Sequence, residues 1–264
     1  MTAARAMAGD LRSALDPVAF ASHRLGFNPD GWQQRVMRSN GKRVLLNCSR
    51  QAGKSTTTSV IALHTALYRP GSLILLVSPS LRQSRELFAK VTGFLKALEP
   101  VTPLEEDNRL SFTLTNKSRV VCLPGSADTI RGFSAPALVI EDEAAFVDDA
   151  LYFAVRPMLA VSNGRLILMS TPNGRRGHFF DAWDGGGDEW ERISVKASDV
   201  PRISSEFLAS ERTAMGEWWF RQEYECEFVE TADQLFRLSD IQRAITDEVK
   251  PLFSPNSSSI QPLF

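Results

Sequence analysis

The sequence predicts an α/β protein: a doubly wound, mostly parallel sheet with a small helical subdomain towards its C-terminal end. Three observations lead there. Apolar runs of strand length, at residues 44–46, 72–79, 137–143 and 164–170, alternate with stretches of helical spacing. Such alternation builds a parallel sheet buried on both faces. A loop, Cys48-Ser49-Arg50-Gln51-Ala52-Gly53-Lys54-Ser55-Thr56, joins the first run to a helix over 54–68. The third run ends in Glu141-Asp142-Glu143, which puts carboxylates at the C-terminal edge of a sheet, where open α/β folds bind ligands.

Composition narrows the class. Hydrophobic residues make up 43% of the 264, enough for a substantial core in one large or two small domains. The net charge of −1 excludes a polycation, so nucleic-acid contact must come from a local patch. Cys48, Cys122 and Cys226 are odd in number and widely spaced, which argues against a disulfide framework or a zinc site and fits a reducing compartment. No basic segment followed by an apolar one opens the chain, and no apolar run reaches the ~18 residues of a membrane span. A soluble intracellular protein without a membrane partner is the expectation.

In chain order, residues 1–15 read as a short amphipathic arm or a frayed end. Pro29-Asp30-Gly31 is turn chemistry, and a helix starts near Trp32 and runs to Met37. Residues 80–98 have helical spacing, stopped by Pro100. Residues 109–115 and 118–123 alternate apolar and polar around Asn116-Lys117, the pattern of an antiparallel hairpin. Residues 125–135 read as a polar loop, 149–161 as a helix, 178–183 as a helix broken by glycines, and 191–196 as an edge strand. Composition shifts near Pro201. Residues 204–226 read as helical, with Trp218-Trp219-Phe220 as core of that part, and no nucleotide chemistry shows there. A last helix over 239–249 and a Ser/Pro-rich tail over 254–264 complete the chain. The expected division is a core over 1–200, a helical lid or linker over 201–253 and a tail over 254–264.

The chemistry concentrates at the loop and the acids. A strand, a loop ending Gly-Lys-Ser and a helix form the layout of a phosphate-binding loop. Gly53 admits close backbone approach, and the helix start adds free N–H groups and partial positive charge. Lys54 reaches β- and γ-phosphates and the Ser55 hydroxyl suits Mg²⁺. The general pattern fails at Cys48, which stands where the first glycine belongs. Asp142 is the second expected Mg²⁺ ligand, and Glu143 the general base for an attacking water. Ser170 and Thr171, with Pro172, end the next strand, either as a γ-phosphate sensor or as an ordinary loop start. Trp32 and Gln33 upstream are either an adenine contact, since an amide both donates and accepts, or a plain helix start with a buried Trp. Arg50 and Arg131 are candidates for charge neutralisation on phosphate. His23, His64 and His178 are scattered and need no catalytic role.

Taken together, these motifs resemble the ATPase domain of the large terminase subunit, the DNA-packaging motor of tailed bacteriophages. The loop resembles that family's deviant form, which accounts for Cys48. Phe27 to Gln33 resembles its upstream adenine motif. Thr129-Ile130-Arg131-Gly132 leading into residues 138–146 resembles its acidic-strand region. Ser170-Thr171-Pro172 resembles its coupling motif, and Met215-Gly216 with Gln222-Glu223 to Phe228 its linker or lid. The resemblance covers residues 25–240.

It implies a RecA-like sheet of the ASCE P-loop type and a Mg²⁺-dependent ATPase that translocates double-stranded DNA. Residues 49–56 with Trp32 and Gln33 would bind ATP. The implied partners are the portal and procapsid, the small terminase subunit and further copies in a ring, typically five, in the host-cell cytoplasm. By position Arg131 resembles a finger acting on a neighbour's nucleotide, with Arg50 acting in cis. The family's C-terminal RNase H-like nuclease is not expected here, because the chain stops at Phe264. A helicase-like translocase of the same core is the alternative reading, although too few residues follow Pro172 for a second such domain. A nucleotide-gated assembly module that barely hydrolyses is a third, and Glu143 argues against it.

Overall fold

The computed structural model describes residues 3–98, 102–230 and 244. The expected helix over 239–249, apart from Ala244, and the tail over 254–264 lie outside them. Residues Met1–Val229 form one compact unit.

The apolar runs become strands. β1 is Arg43–Cys48, β2 Leu73–Ser78, β3 Leu104–Asp107, β4 Ser111–Leu114, β5 Arg119–Pro124, β6 Leu138–Asp142, β7 Arg165–Ser170 and β8 Trp190–Val195. They form one eight-stranded sheet in the order β3-β4-β5-β2-β6-β7-β1-β8. Strands β5 to β8 of that order all run parallel, and β3 and β4 add an antiparallel edge. The hairpin around Asn116-Lys117 is present, with Lys117 left-handed at φ 69°. The sequence reading missed β3. All four of its residues are exposed, so burial left no apolar signature to read.

The helices α1 (Ala3–Leu15), α2 (Pro17–Arg24), α3 (Gly31–Arg38), α4 (Lys54–Tyr68), α5 (Leu81–Lys96), α6 (Ala127–Ile130), α7 (Asp149–Ser162), α8 (Gly177–Asp184), α9 (Ser205–Met215) and α10 (Glu217–Glu223) connect the strands. Two were unforeseen. α2 starts on an Asp16 cap with proline in its first turn, and α6 puts a single turn into the stretch expected to be loop. One apolar cluster joins Val44, Leu46, Ile74 and Ile140 to α2–α5. A second, on the opposite sheet face, joins Leu45, Leu75, Val139 and Leu168 to α7 and α8. Alternate residues of each central strand thus enter opposite cores, as period-two geometry requires. Burying a Leu or Ile side chain is worth ~1.5–3 kcal/mol, so these strands hold the sheet edge still for the loops it carries.

The expected core of the C-terminal part needs correction. Of Trp218-Trp219-Phe220 only Phe220 is buried; Trp219 is 52% exposed. Gly216, at φ 79°, breaks the helical stretch in two, and residues three apart then no longer share a face. Among the described residues no helix is long and apolar enough to cross a membrane.

Candidate phosphate-loop site

β1 ends at Cys48 and the chain turns through residues 49–53 into α4. The turn needs left-handed backbone twice, at Gln51 (φ 60°) and Gly53 (φ 98°). Glycine takes that conformation without cost. A Cβ on Gly53 would also stand 3.0 Å from Gln33 Nε2, so the buried Gln33 amide lies against the loop. Gln33 additionally closes a capping box at the start of α3, accepting from the Asp30 amide at 2.8 Å. Trp32 packs against the core beside it.

β6 and β1 flank β7, and the register aligns Asn47 with Ser170 and Asp142 with Met169. This alignment brings the loop, the acids and the polar tip of β7 to one edge. Lys54 Nζ lies 2.9 Å from Glu143 Oε1. Ser55 Oγ lies 3.4 Å from Asp142 Oδ2, and Ser170 Oγ 3.5 Å from Glu143 Oε2. Glu143 sits in the left-handed region at φ 54°, ψ 42°, a conformation costing ~1–3 kcal/mol that persists only where the surroundings impose it.

Charge at this edge is tuned by burial. Burial first, and Glu143 second, push Asp142 up to about 6, while Lys54 pulls the other way. Burial opposes the charge on Lys54, but the Glu143 and Asp142 carboxylates outweigh it and hold its pKa above the usual lysine value. The Ser55 hydroxyl and Asp142 carboxylate converge without closing a short hydrogen bond, and both are the oxygen donors that Mg²⁺ takes. The donor set fits that cation.

Other expected residues lie differently. Ser49 and Ala52 are buried, Thr171 is buried at the β7 tip, and Thr56 is half-buried in the first turn of α4. Arg50 pairs with the Glu223 carboxylate, and its amide donates to the Glu223 carbonyl at 3.2 Å. Arg131 caps α6, with its side chain 70% exposed and Asp128 at 3.8 Å its nearest carboxylate. Among the described residues its ion pair is to Asp128 and not to the loop.

The segment after Pro201, where the sequence showed no nucleotide chemistry, braces the loop. Arg202 donates to Asp30 Oδ2 at 2.7 Å and to the Ala52 carbonyl at 3.2 Å. Asn47 Nδ2 donates to the Cys226 carbonyl at 2.8 Å. Arg202, Glu223 and Cys226 form no local motif with their partners, which lie more than 100 positions away along the chain. Cys48, Cys122 and Cys226 are all free and buried.

Fold and edge together define the class: a parallel α/β protein whose first strand, loop and helix have the phosphate-loop layout, facing a strand that ends in paired acids. Residues 45–243 match the family model described as terminase large subunit, T4-like virus type, N-terminal, and the chain belongs to that family. It is 29% identical to the large terminase subunit of Thermus phage G20c, over 80% of this chain and 51% of that protein. It is 28% identical to that of Escherichia phage T5, over 89% of this chain and 55% of that protein. The large terminase ATPase domain of Thermus phage P74-26 superposes with a TM-score of 0.73 at 26% identity, over 81% of this chain and 100% of that domain. The chain spans about half the length of the two full-length relatives.

Proposed function

We propose that this chain is the motor ATPase part of a large terminase, hydrolysing ATP with Mg²⁺ to drive double-stranded viral DNA into a procapsid. The convergence of Lys54, Ser55, Asp142 and Glu143 on one sheet edge, in a member of this family, carries the reading. Amides of the loop and the start of α4 cradle the phosphates. Ser55 and Asp142 would hold Mg²⁺, which supplies charge neutralisation on the phosphate oxygens. Lys54 has two competing acceptors, Glu143 and phosphate. Phosphate oxygens draw the ammonium off Glu143, and the released carboxylate takes the proton of the attacking water. Gln33 and Trp32 serve the adenine end. Ser170, within reach of Glu143, and Thr171 report the state of the γ-phosphate.

Arg131 is exposed, and in this reading it acts on the nucleotide of a neighbouring copy, while Arg50 stays on its own subunit beside Glu223. Arg131→Ala then costs about 10³–10⁵ in hydrolysis by the assembled motor and leaves ATP binding nearly intact. Collapse of ATP affinity instead would make Arg131 a binding residue in cis. The partners follow from the family: DNA, the portal and procapsid, the small subunit and a ring of about five copies, in the host-cell cytoplasm.

The test is ATP turnover against protein concentration, with and without Glu143→Ala. Turnover per chain that rises with concentration and vanishes in the variant is expected. Turnover untouched by the variant overturns the role of the acidic strand end.

A further inference from the structure

The mechanism above leaves unused a buried charged cluster directly behind the acidic pair. Glu141 faces the side of the sheet away from α4 and is fully buried, and His178 at the start of α8 is 3% exposed. His178 Nε2 lies 2.7 Å from Glu141 Oε1, and Nδ1 lies 3.0 Å from Asp149 Oδ1. The His178 amide also donates to Asp149 Oδ1, at 2.7 Å. Tyr152 stacks on the imidazole, with ring centroids 4.8 Å apart and planes 12° from parallel.

Glu141 immediately precedes Asp142-Glu143, and Asp149 opens the helix that follows them. The intervening turn, Ala144–Phe146, packs against α8 itself. We propose that His178 is a positioning residue for Glu143: one imidazole clamps both ends of the segment 141–149 and so holds the catalytic carboxylate at its angle to the phosphate loop. This rests on Glu143 being the general base.

Three observations support the clamp. Glu143 is in strained left-handed backbone, which needs restraint from both sides. A carboxylate as buried as Glu141 needs a partner, and among the described residues His178 is the one that hydrogen-bonds it, its Oε2 having none there. Each ring nitrogen faces a carboxylate, and only an imidazolium donates from both. Neutral imidazole would turn a lone pair towards one of the two acids.

The clamp is therefore complete when His178 is protonated and loosens as the proton leaves. Burial works against the charged ring, but Glu141 and then Asp149 outweigh it and raise its pKa above the usual histidine value. The groups facing it are Glu141 from β6, and Asp149 and Tyr152 from α7. Asp181 of its own helix, Arg156 of α7 and Glu189 just before β8 share the adjoining 250 Å³ cavity. Arg156 is itself engaged with the Tyr152 hydroxyl at 2.8 Å and with Glu189 at 3.2 Å.

The test is a pH profile of ATP turnover by the whole chain, at protein concentrations where turnover per chain has levelled off, for wild type, His178→Gln and Asp149→Asn. Wild-type kcat should fall on the alkaline side as His178 loses its proton. His178→Gln should lower kcat by roughly 10- to 100-fold, the scale of an ångström-sized misplacement. It should leave KM for ATP within about twofold and abolish the alkaline limb. Asp149→Asn changes a half-exposed group and keeps the fold should His178→Gln lose it. It should move the alkaline limb to lower pH, because the imidazolium has lost one of its two anions.

Unchanged kcat and limb in a folded His178→Gln, a limb unmoved in Asp149→Asn, or kcat and ATP affinity falling in step would each overturn the clamp. Glu143→Ala in the same assay separates the failures. If it retains turnover, the functional reading falls. If it loses turnover while the His178 and Asp149 variants behave as wild type, only the clamp falls.

Discussion

The phosphate loop and the acidic strand end lie on β1 and β6, with β7 between them, and the chain holds them by different means. The loop is braced from outside. Arg202 and Arg50 reach it or leave it through side chains that stay more than half exposed, although the Glu223 carboxylate that Arg50 meets is nearly buried; the Arg50 amide also donates to the Glu223 carbonyl, and Asn47, just before the loop, to the Cys226 carbonyl. The acidic end is braced from within, through Glu141 and His178, both almost without solvent contact. Exposed ion pairs are worth ~0–1 kcal/mol, whereas removing one partner of a buried pair costs ~3–5 kcal/mol. A loop that admits and releases a ligand suits the first kind of brace. A carboxylate that must keep one angle suits the second.

Breaking the inner brace should have the largest effect. His178→Ala is expected to destabilise the protein by ~3–5 kcal/mol in urea unfolding. The same pair predicts a pH dependence. The pKa of His178 is raised in the fold, so its contribution is fully present below the unfolded histidine value and is lost as pH rises through the folded one. His64 works oppositely: burial lowers its pKa, so its contribution is present above the unfolded value and is lost as pH falls through the folded one. Unfolding midpoints measured between about pH 5 and pH 9 should show His178→Gln flattening the alkaline decline and His64→Phe flattening the acidic one. Equal flattening on both sides by either variant would erase the contrast.

Gly53→Ala should come next, at ~1–2 kcal/mol for a left-handed non-glycine residue, because its backbone is at φ 98° and its Cβ would press on Gln33. Denaturant unfolding measures it, and nucleotide affinity should fall with it, since Gln33 moves. Arg202→Ala should be smallest, within ~1 kcal/mol in the same assay, because the Arg202 side chain is more than half exposed. A loss near that of His178→Ala would show that the loop, too, is held by a brace of the strong kind.

Much of this was legible from residues close together in the chain. The four apolar runs, the loop and the acids declared themselves because a parallel strand buried on both faces has to be apolar throughout, and because Gly53 and Lys54 answer to local geometry. Cys48 broke the general loop pattern, yet the loop formed, since the left-handed turns fall at Gln51 and Gly53. Exposure hid β3, and a one-turn helix like α6 is too short to show a period. The opening arm, left open between helix and frayed end, is helical in α1. His178 looked like one of three scattered histidines, and the stretch after Pro201 looked unrelated to nucleotides. Neither carries a local signal, because each acts only through a partner far along the chain.

The sequence by itself determined the sheet, the order of its loops and the kinds of atoms at the site, because backbone period and residue chemistry are local properties. Only the tertiary structure decided which of those atoms meet. It set Lys54 against Glu143, tied Arg50 to Glu223, left Arg131 in solvent and enclosed His178 between two carboxylates. The physical reason is that a buried charge is stable only beside a complementary group, and which group stands there is set by strand order and register rather than by its place in the chain.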